Sequence, residues 1–192
     1  MAPTRSATTR ERLLTAAETL FLSDGFETVS VRAICSAAGA NPAAVHYHFG
    51  TRDDLVTALL EDRLGPIWAD PLDHLDPSAT SIAAIVELII DPLVRLQADP
   101  TGHLHLRLLT RFVDDHPEAG WSRPWFRLDD WTDLLLAITP GLDPRAARRR
   151  WALAFTLILT RFGGAQPLSP DAVTALAGFV VAGLGAPIEE TP

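Results

Sequence analysis

Residues 25–55 read GFETVSVRAICSAAGANPAAVHYHFGTRDDL. Two short helical patterns sit here on either side of a small turn. Ser30 is a good N-cap for a helix running to Ala38, and Gly39 stops it. Asn41 followed by Pro42 is a cap with proline at the first helical position; it opens a second helix to about Phe49, which Gly50 breaks. Two short helices around the glycine-bearing turn Ala38-Gly39-Ala40-Asn41 predict a helix-turn-helix. The second helix of such a pair offers its first residues to base edges, because a helix end fits deep into the major groove. Here those residues are Pro42, Ala43 and Ala44, small and apolar, suited to thymine methyls. Arg32, early in the first helix, has the reach and charge for a guanine or a phosphate.

Outward from this segment the periodicity stays helical, and no alternating strand pattern persists. Upstream, Leu13, Ala16, Ala17, Leu20 and Phe21 share one helix face, ended by Gly25. Downstream, Thr51 caps a fourth helix with Asp53 and Asp54 in its first turn, favoured by the helix dipole; it is expected to end near Leu64, before Gly65-Pro66. Residues 66–78 are Asp- and Pro-rich and read as a connection. Further helices are expected over 78–99, across Pro92, over 101–115, up to Ile138, from Asp143-Pro144 to Phe162, and from Ser169-Pro170 to Gly183. The fold class is all-α, with about nine helices. The expected domains are 6–52, binding DNA, and 53–187, helical.

The N-terminal stretch resembles the DNA-binding domain of the tetracycline-repressor (TetR) family. The likeness runs through Arg12-Leu13-Leu14-Thr15-Ala16-Ala17, Leu20-Phe21, Gly25 to Ile34, Ala38-Gly39 and Val45 to Leu55. Its most specific part is Tyr47-His48-Phe49 followed by a small, a polar and a basic residue. The resemblance implies that Tyr47 and His48 clamp phosphates and that Arg52 meets the backbone. It also implies that Thr28 and Ser30 meet phosphate near the start of the second helix, and that Pro42, Ala43, Ala44 and His46 face bases or their sugars. Phe21, Ile34, Val45, Phe49 and Leu55 form the module's core in this reading. His46 stands where Tyr or Asn is commoner in the family, and Arg52 where Lys is usual.

Charge is distributed unevenly. The net charge is −8 and all 16 basic residues are Arg. Residues 1–52 carry five Arg against Glu11, Glu18, Asp24 and Glu27, whereas residues 53–192 carry 11 Arg against 20 acids. The acidic part would repel DNA and leave the N-terminal face as the contact surface. The rival reading that the negative charge supports is a helical dimeric protein-interaction module without DNA binding. The single cysteine, Cys35, allows no internal disulfide and reads as a small core residue. No apolar run reaches the roughly 18 residues of a membrane span, and the expected location is the cytoplasm. No catalytic constellation, cofactor motif or metal site is read: His103 and His105, two apart, fall on different helix faces.

In the resembled family the C-terminal helices enclose a small-molecule effector. Trp121, Trp125, Trp131 and Trp151 cluster with Phe126 and Phe155. The expected pocket lining is Leu104, Leu108, Phe112, Trp121, Trp125, Phe126 and Trp131, suited to an apolar or aromatic ligand. Arg107, Arg111 and Arg127 offer partners for an acidic head group. The last two long helices are apolar over more than one face, through Ala172, Val173, Leu176, Ala177, Phe179, Val180 and Leu184. They are expected to pair with their twofold mates in a homodimer. The function expected from all this is a ligand-released repressor on a palindromic DNA operator.

Overall fold

Helix start signals recur along the chain, and the structure uses nearly all of them. It is a computed structural model that describes residues 8–116 and 120–187, the side chain of Asp70 excepted. Among the described residues there are nine α-helices, one short 3-10 turn and no strand. The all-α expectation holds. Two compact units meet between Asp62 and Arg63, each with its own core.

The N-terminal unit contains α1 (Thr9–Asp24), α2 (Val31–Ala37), α3 (Ala44–Phe49) and the first half of α4 (Arg52–Asp73). Thr8 caps α1 by accepting from the Glu11 amide, and Ser30 caps α2 by accepting from the Ala33 amide. The start of α3 differs from the expectation. Asn41 and Pro42 form a turn, in which Asn41 Oδ1 accepts from the Ala43 amide at 2.9 Å, and the helix begins only at Ala44. The asparagine side chain satisfies an amide that a longer helix would have used. Leu13, Leu14, Ala17, Phe21, Ile34, Cys35, Val45, Leu55 and Leu59 are buried together in this unit, and Phe49 is half-buried. Each fully buried Leu or Ile contributes about 1.5–3 kcal/mol against exposure.

The expected end of the fourth helix near Leu64 is wrong. α4 runs on to Asp73 with Pro66 and Pro71 inside it. Most of the stretch read as a connection is therefore helix, followed by the 3-10 turn Pro77–Ala79. Both proline rings are exposed, whereas Leu64 and Leu72 are buried and Trp68 is half-buried. Positions 64, 68 and 72 repeat at helical spacing, so burial of that face outweighs the hydrogen bonds lost at the prolines.

The C-terminal unit holds α5 (Ile82–Gln97), α6 (Pro100–Asp115), α7 (Leu128–Ile138), α8 (Pro144–Phe162) and α9 (Pro170–Leu184). Their N-caps are Ser81, Asp99, Asp143 and Ser169 for α5, α6, α8 and α9, each accepting from an amide three residues on. α5 is continuous through Pro92. α8 packs against α6, α7 and α9, and α5 against α6 and α9. Trp151, fully buried on α8, sits in a core with Ile85, Leu106, Leu135, Phe162 and Leu184. Polar side chains fix the connections. Buried Gln97 accepts from the Leu168 amide at 2.9 Å and donates to its carbonyl at 3.4 Å. Thr110 Oγ1 donates toward the Leu159 carbonyl at 2.9 Å. Gly163, capping α8, is needed there because a Cβ would run into the Thr110 side chain.

Candidate nucleic-acid interface and an aromatic cavity

α2 and α3 are held in a helix-turn-helix by hydrogen bonds inside the turn. The Ala38 amide donates to the Ile34 carbonyl at 2.9 Å, and the Ala40 amide to the Cys35 carbonyl at 2.9 Å. Cys35 Sγ lies 3.6 Å from the Pro42 carbonyl. Buried Val45 and half-buried Phe49, one turn apart, form the inner face of α3. At Gly50, φ is +95° and a Cβ would approach Asp54 Oδ2 to 3.0 Å, so glycine ends the helix. Thr51 and Asp54 then cap the start of α4 reciprocally. The Thr51 hydroxyl donates to Asp54 Oδ2 at 2.7 Å and accepts from the Asp54 amide at 3.0 Å.

Several residues expected to meet DNA present themselves to solvent. Tyr47 is 83% exposed and meets the His48 ring edge-on, centroids 5.0 Å apart. His48, Arg32, Pro42 and Ala43 are exposed, and Ala44 is half-buried. Arg32 has no hydrogen bond or ion pair among the described residues. Ser30 is exposed but occupied as the α2 cap. A largely exposed phenol has left its apolar ring in water, which folding alone does not favour.

Arg52, Thr28 and His46 also bond within the module, Thr28 and His46 staying exposed and Arg52 half-buried. The Arg52 guanidinium donates to the Phe26 carbonyl at 2.5 Å and lies 4.1 Å above the Phe26 ring and 5.7 Å from Phe21. It clamps the loop after α1 to the start of α4. The Thr28 hydroxyl donates to the Asp24 and Gly25 carbonyls, at 2.6 and 3.0 Å, and closes the end of α1. His46 Nδ1 donates to the Gly50 carbonyl at 2.9 Å. Arg10, which the sequence reading passed over, places its guanidinium 5.4 Å above the Phe49 ring and 4.0 Å from Asp62.

Within the C-terminal unit lies a cavity of about 640 Å³. Of the residues expected to line it, Trp121, Trp125, Phe126 and Trp131 do so. Leu104, Leu108 and Phe112 do not: Leu108 and Phe112 are buried in packing, with Phe112 stacked on His116 at 4.4 Å and edge-on to Trp121 at 5.8 Å. Trp68, Leu109, Val113, Phe155 and Leu159 add to the apolar wall, and the Trp68 indole N–H is buried without a hydrogen-bond partner among the described residues. The sequence reading missed Trp68 because it placed that residue in a connection.

Both arginines of the wall are paired with carboxylates. Arg127 donates to Asp130 through two hydrogen bonds, at 3.1 and 2.9 Å, which together with the charge of Asp130 raise its pKa above the ordinary value. Arg148 is bonded to Asp129. Neither arginine stands free for an acidic head group; Arg111 pairs with Asp115 at 3.6 Å, and Arg107 lies outside the wall. Trp125 adopts φ +68°, a conformation that costs a bulky residue about 1–3 kcal/mol. Three hydrogen bonds hold it there: its amide to Asp130 at 3.4 Å, its indole N–H to Asp73 at 3.1 Å, and its carbonyl accepting from the Trp131 indole at 2.8 Å. Among the described residues no group of three His, Cys, Asp or Glu is placed to hold a metal ion, and no helix is long and apolar enough to cross a membrane.

Comparison with known proteins places this architecture. The family described as "Bacterial regulatory proteins, tetR family" matches residues 13–59. The HTH-type transcriptional regulator UidR of Escherichia coli is 27% identical over 88 residues, 44% of this chain and 45% of UidR. The HTH-type transcriptional repressor KstR2 of Mycolicibacterium smegmatis is 26% identical over 88 residues, 46% of this chain and 43% of KstR2. The chain thus spans less than half the length of these curated relatives. Over nearly the whole chain the fold is similar to the multidrug binding protein EbrR, with TM-score 0.63, 22% identity, and coverage of 97% of this chain and 100% of EbrR. It is also similar to NalD of Pseudomonas aeruginosa, with TM-score 0.58, 23% identity, and coverage of 91% and 96%. Residues 13–59 thus carry the helix-turn-helix of the TetR family of bacterial regulatory proteins, and the helical fold is shared over nearly the whole chain.

Proposed function

We propose that this chain is a transcriptional repressor that binds a palindromic operator as a twofold dimer and is released when a small apolar or aromatic ligand fills the cavity. The observation that carries the reading is the solvent-facing set on the helix-turn-helix: Tyr47 at 83% exposure, exposed His48, and Arg32 without a partner among the described residues. Phosphate oxygens supply the acceptors such groups lack. Pro42, Ala43 and Ala44 bring small apolar surface to the groove floor. Arg52, Thr28 and His46 contribute by fixing the module's shape.

Two further features support the rest of the reading. Leu153 on α8 and Phe179 on α9 are 73% and 70% exposed, and beside Phe179 on α9 lie small exposed residues, Ala175, Gly178, Ala182 and Gly183. An apolar face with small residues suits close packing against a second copy. A dimer sets two recognition helices roughly 34–36 Å apart, one turn of B-DNA. The cavity is of the size that takes a drug-sized ligand. Ligand that prefers one conformer of the dimer then weakens DNA binding by the factor by which DNA weakens ligand binding. The site of action is the cytoplasm, where the operator is.

The test is selection of bound sequences from randomised DNA by the purified protein, followed by sequencing. An enriched palindrome with half-sites about one helical turn apart is expected. A folded dimer that enriches nothing at moderate salt would overturn the DNA reading in favour of a protein-interaction module.

A further inference from the structure

The ring of His46 is held at one nitrogen and open at the other. Its Nδ1 lies 2.9 Å from the Gly50 carbonyl, at the end of α3. A carbonyl oxygen can only accept, so Nδ1 carries the proton. In a neutral imidazole the second nitrogen, Nε2, is then a bare acceptor. Among the described residues nothing donates to it, and the residue is exposed. The carbonyl that sets this tautomer is itself fixed, because Gly50 has φ +95° and a Cβ there would press on Asp54. His46 also faces outward. Buried Val45 and half-buried Phe49 mark the inner side of α3, whereas Ala43, His46 and Tyr47, at i, i+3 and i+4, share an exposed one.

We infer that His46 is a specificity-determining residue of the helix-turn-helix: its Nε2 accepts from the exocyclic amino group of one base, adenine N6 or cytosine N4, in each half-site. The inference rests on the reading of this chain as a DNA-binding regulator. Duplex DNA offers an acceptor such as Nε2 very few donors. Phosphate and sugar oxygens along the strands only accept. In the major groove guanine presents N7 and O6 and thymine presents O4, which are acceptors again; only adenine and cytosine present an N–H there. Neutral His46 set against a phosphate leaves two lone pairs facing each other. Set against an amino group, the ring completes a hydrogen bond at both ends, one to Gly50 and one to DNA. His48 differs. Its ring makes no hydrogen bond among the described residues, so either nitrogen can turn an N–H to a phosphate. Two histidines two residues apart thus divide the work, His48 positioning the module and His46 reading a base.

The full chain and His46→Ala are used to select from randomised DNA at about pH 8, where imidazoles are neutral. The variant gives up one bond at an exposed helix end and is expected to melt within a few degrees of the unaltered chain. One base pair in each half-site is expected to lose its preference in the variant. That pair is then rebuilt in the operator. Purine in place of adenine, or 2-pyrimidinone in place of cytosine, removes the amino group; the 7-deaza form of the purine in the same pair removes N7 instead. Loss of the amino group is expected to weaken binding by the unaltered chain about fivefold and by His46→Ala hardly at all, while loss of N7 acts alike on both. A loss on removing N7 that vanishes in the variant shows that Nε2 donates, and overturns the inference. An operator at which no position relaxes in the variant overturns it too, with the DNA reading left standing. If the folded, unaltered chain enriches no operator, both readings fall.

Discussion

The two units of the chain use their polar and aromatic side chains in opposite ways. In the N-terminal unit Tyr47, His48, Arg32, Thr28 and His46 stand in solvent, and Arg52, Thr28 and His46 also hold the turns around them. In the C-terminal unit the indoles of Trp125 and Trp131 donate inside the chain, and the wall arginines are paired with carboxylates. A surface that reads a polyanion works by presenting unpaired groups. A cavity that takes a small molecule works by being built in advance, with few polar groups left open. Leu153 and Phe179 depart from this division, being large, apolar and exposed on helices of the inward-turned unit.

That departure gives the largest expected effect. If a second copy covers Leu153 and Phe179, the double change Leu153→Glu with Phe179→Glu converts the dimer to a folded monomer in sedimentation, and operator binding collapses with it. A variant that stays dimeric removes these helices from the interface. Next comes the core that the C-terminal unit builds around Trp151. Truncating this fully buried side chain with Trp151→Ala costs about 3–5 kcal/mol in denaturant unfolding. Trp151→Phe costs under about 1.5 kcal/mol, because it keeps most of the ring and discards an indole N–H that is buried without a partner among the described residues. Equal losses from the two variants would show that the N–H is satisfied in solution.

The outward-facing groups separate by kind. Tyr47→Phe deletes one hydroxyl that makes no hydrogen bond among the described residues, so melting is unchanged while operator affinity falls about tenfold, near 1.4 kcal/mol, for all sequences alike. Arg32→Gln removes a charge. If Arg32 meets a phosphate, the slope of log affinity against log salt falls by about 0.9; if it reads a guanine, the loss of about 1–3 kcal/mol is confined to one operator position. Neither result would make Arg32 an ordinary surface charge.

The same division governs what the sequence disclosed. Local rules wrote the N-terminal unit: Ser30, Gly39 and Gly50 act within a few residues of themselves, so the helix-turn-helix is legible from neighbours alone. The bond from Arg52 to the Phe26 carbonyl was not legible, because the two lie 26 residues apart in the chain. In the C-terminal unit capping signals such as Asp143 and Ser169 were equally legible, but the cavity wall joins Trp68 on α4 to residues of the α6–α7 connection and α8. Pro66 and Pro71 argued for a break that tertiary burial of Leu64 and Leu72 overrode.

The smallest effect tests whether one cap has two tasks. Ser30 and Ser169 make the same local bond, accepting from the amide three residues on at 3.2 and 3.3 Å, at the starts of α2 and α9. Replacing either by Ala removes one cap and costs about 1 kcal/mol of stability. If Ser30 were only a cap, operator affinity would respond alike to both changes once the folded fraction is corrected for. The serine hydroxyl that accepts from Ala33 still has its own O–H to give, and a DNA phosphate is the acceptor the resemblance supplies. Ser30→Ala is therefore expected to lower operator affinity a few-fold beyond its stability cost, with Ser169→Ala leaving it alone. Matching affinities for the two variants would return Ser30 to a purely structural role and shrink the DNA-facing set to Arg32, the start of α3, Tyr47 and His48.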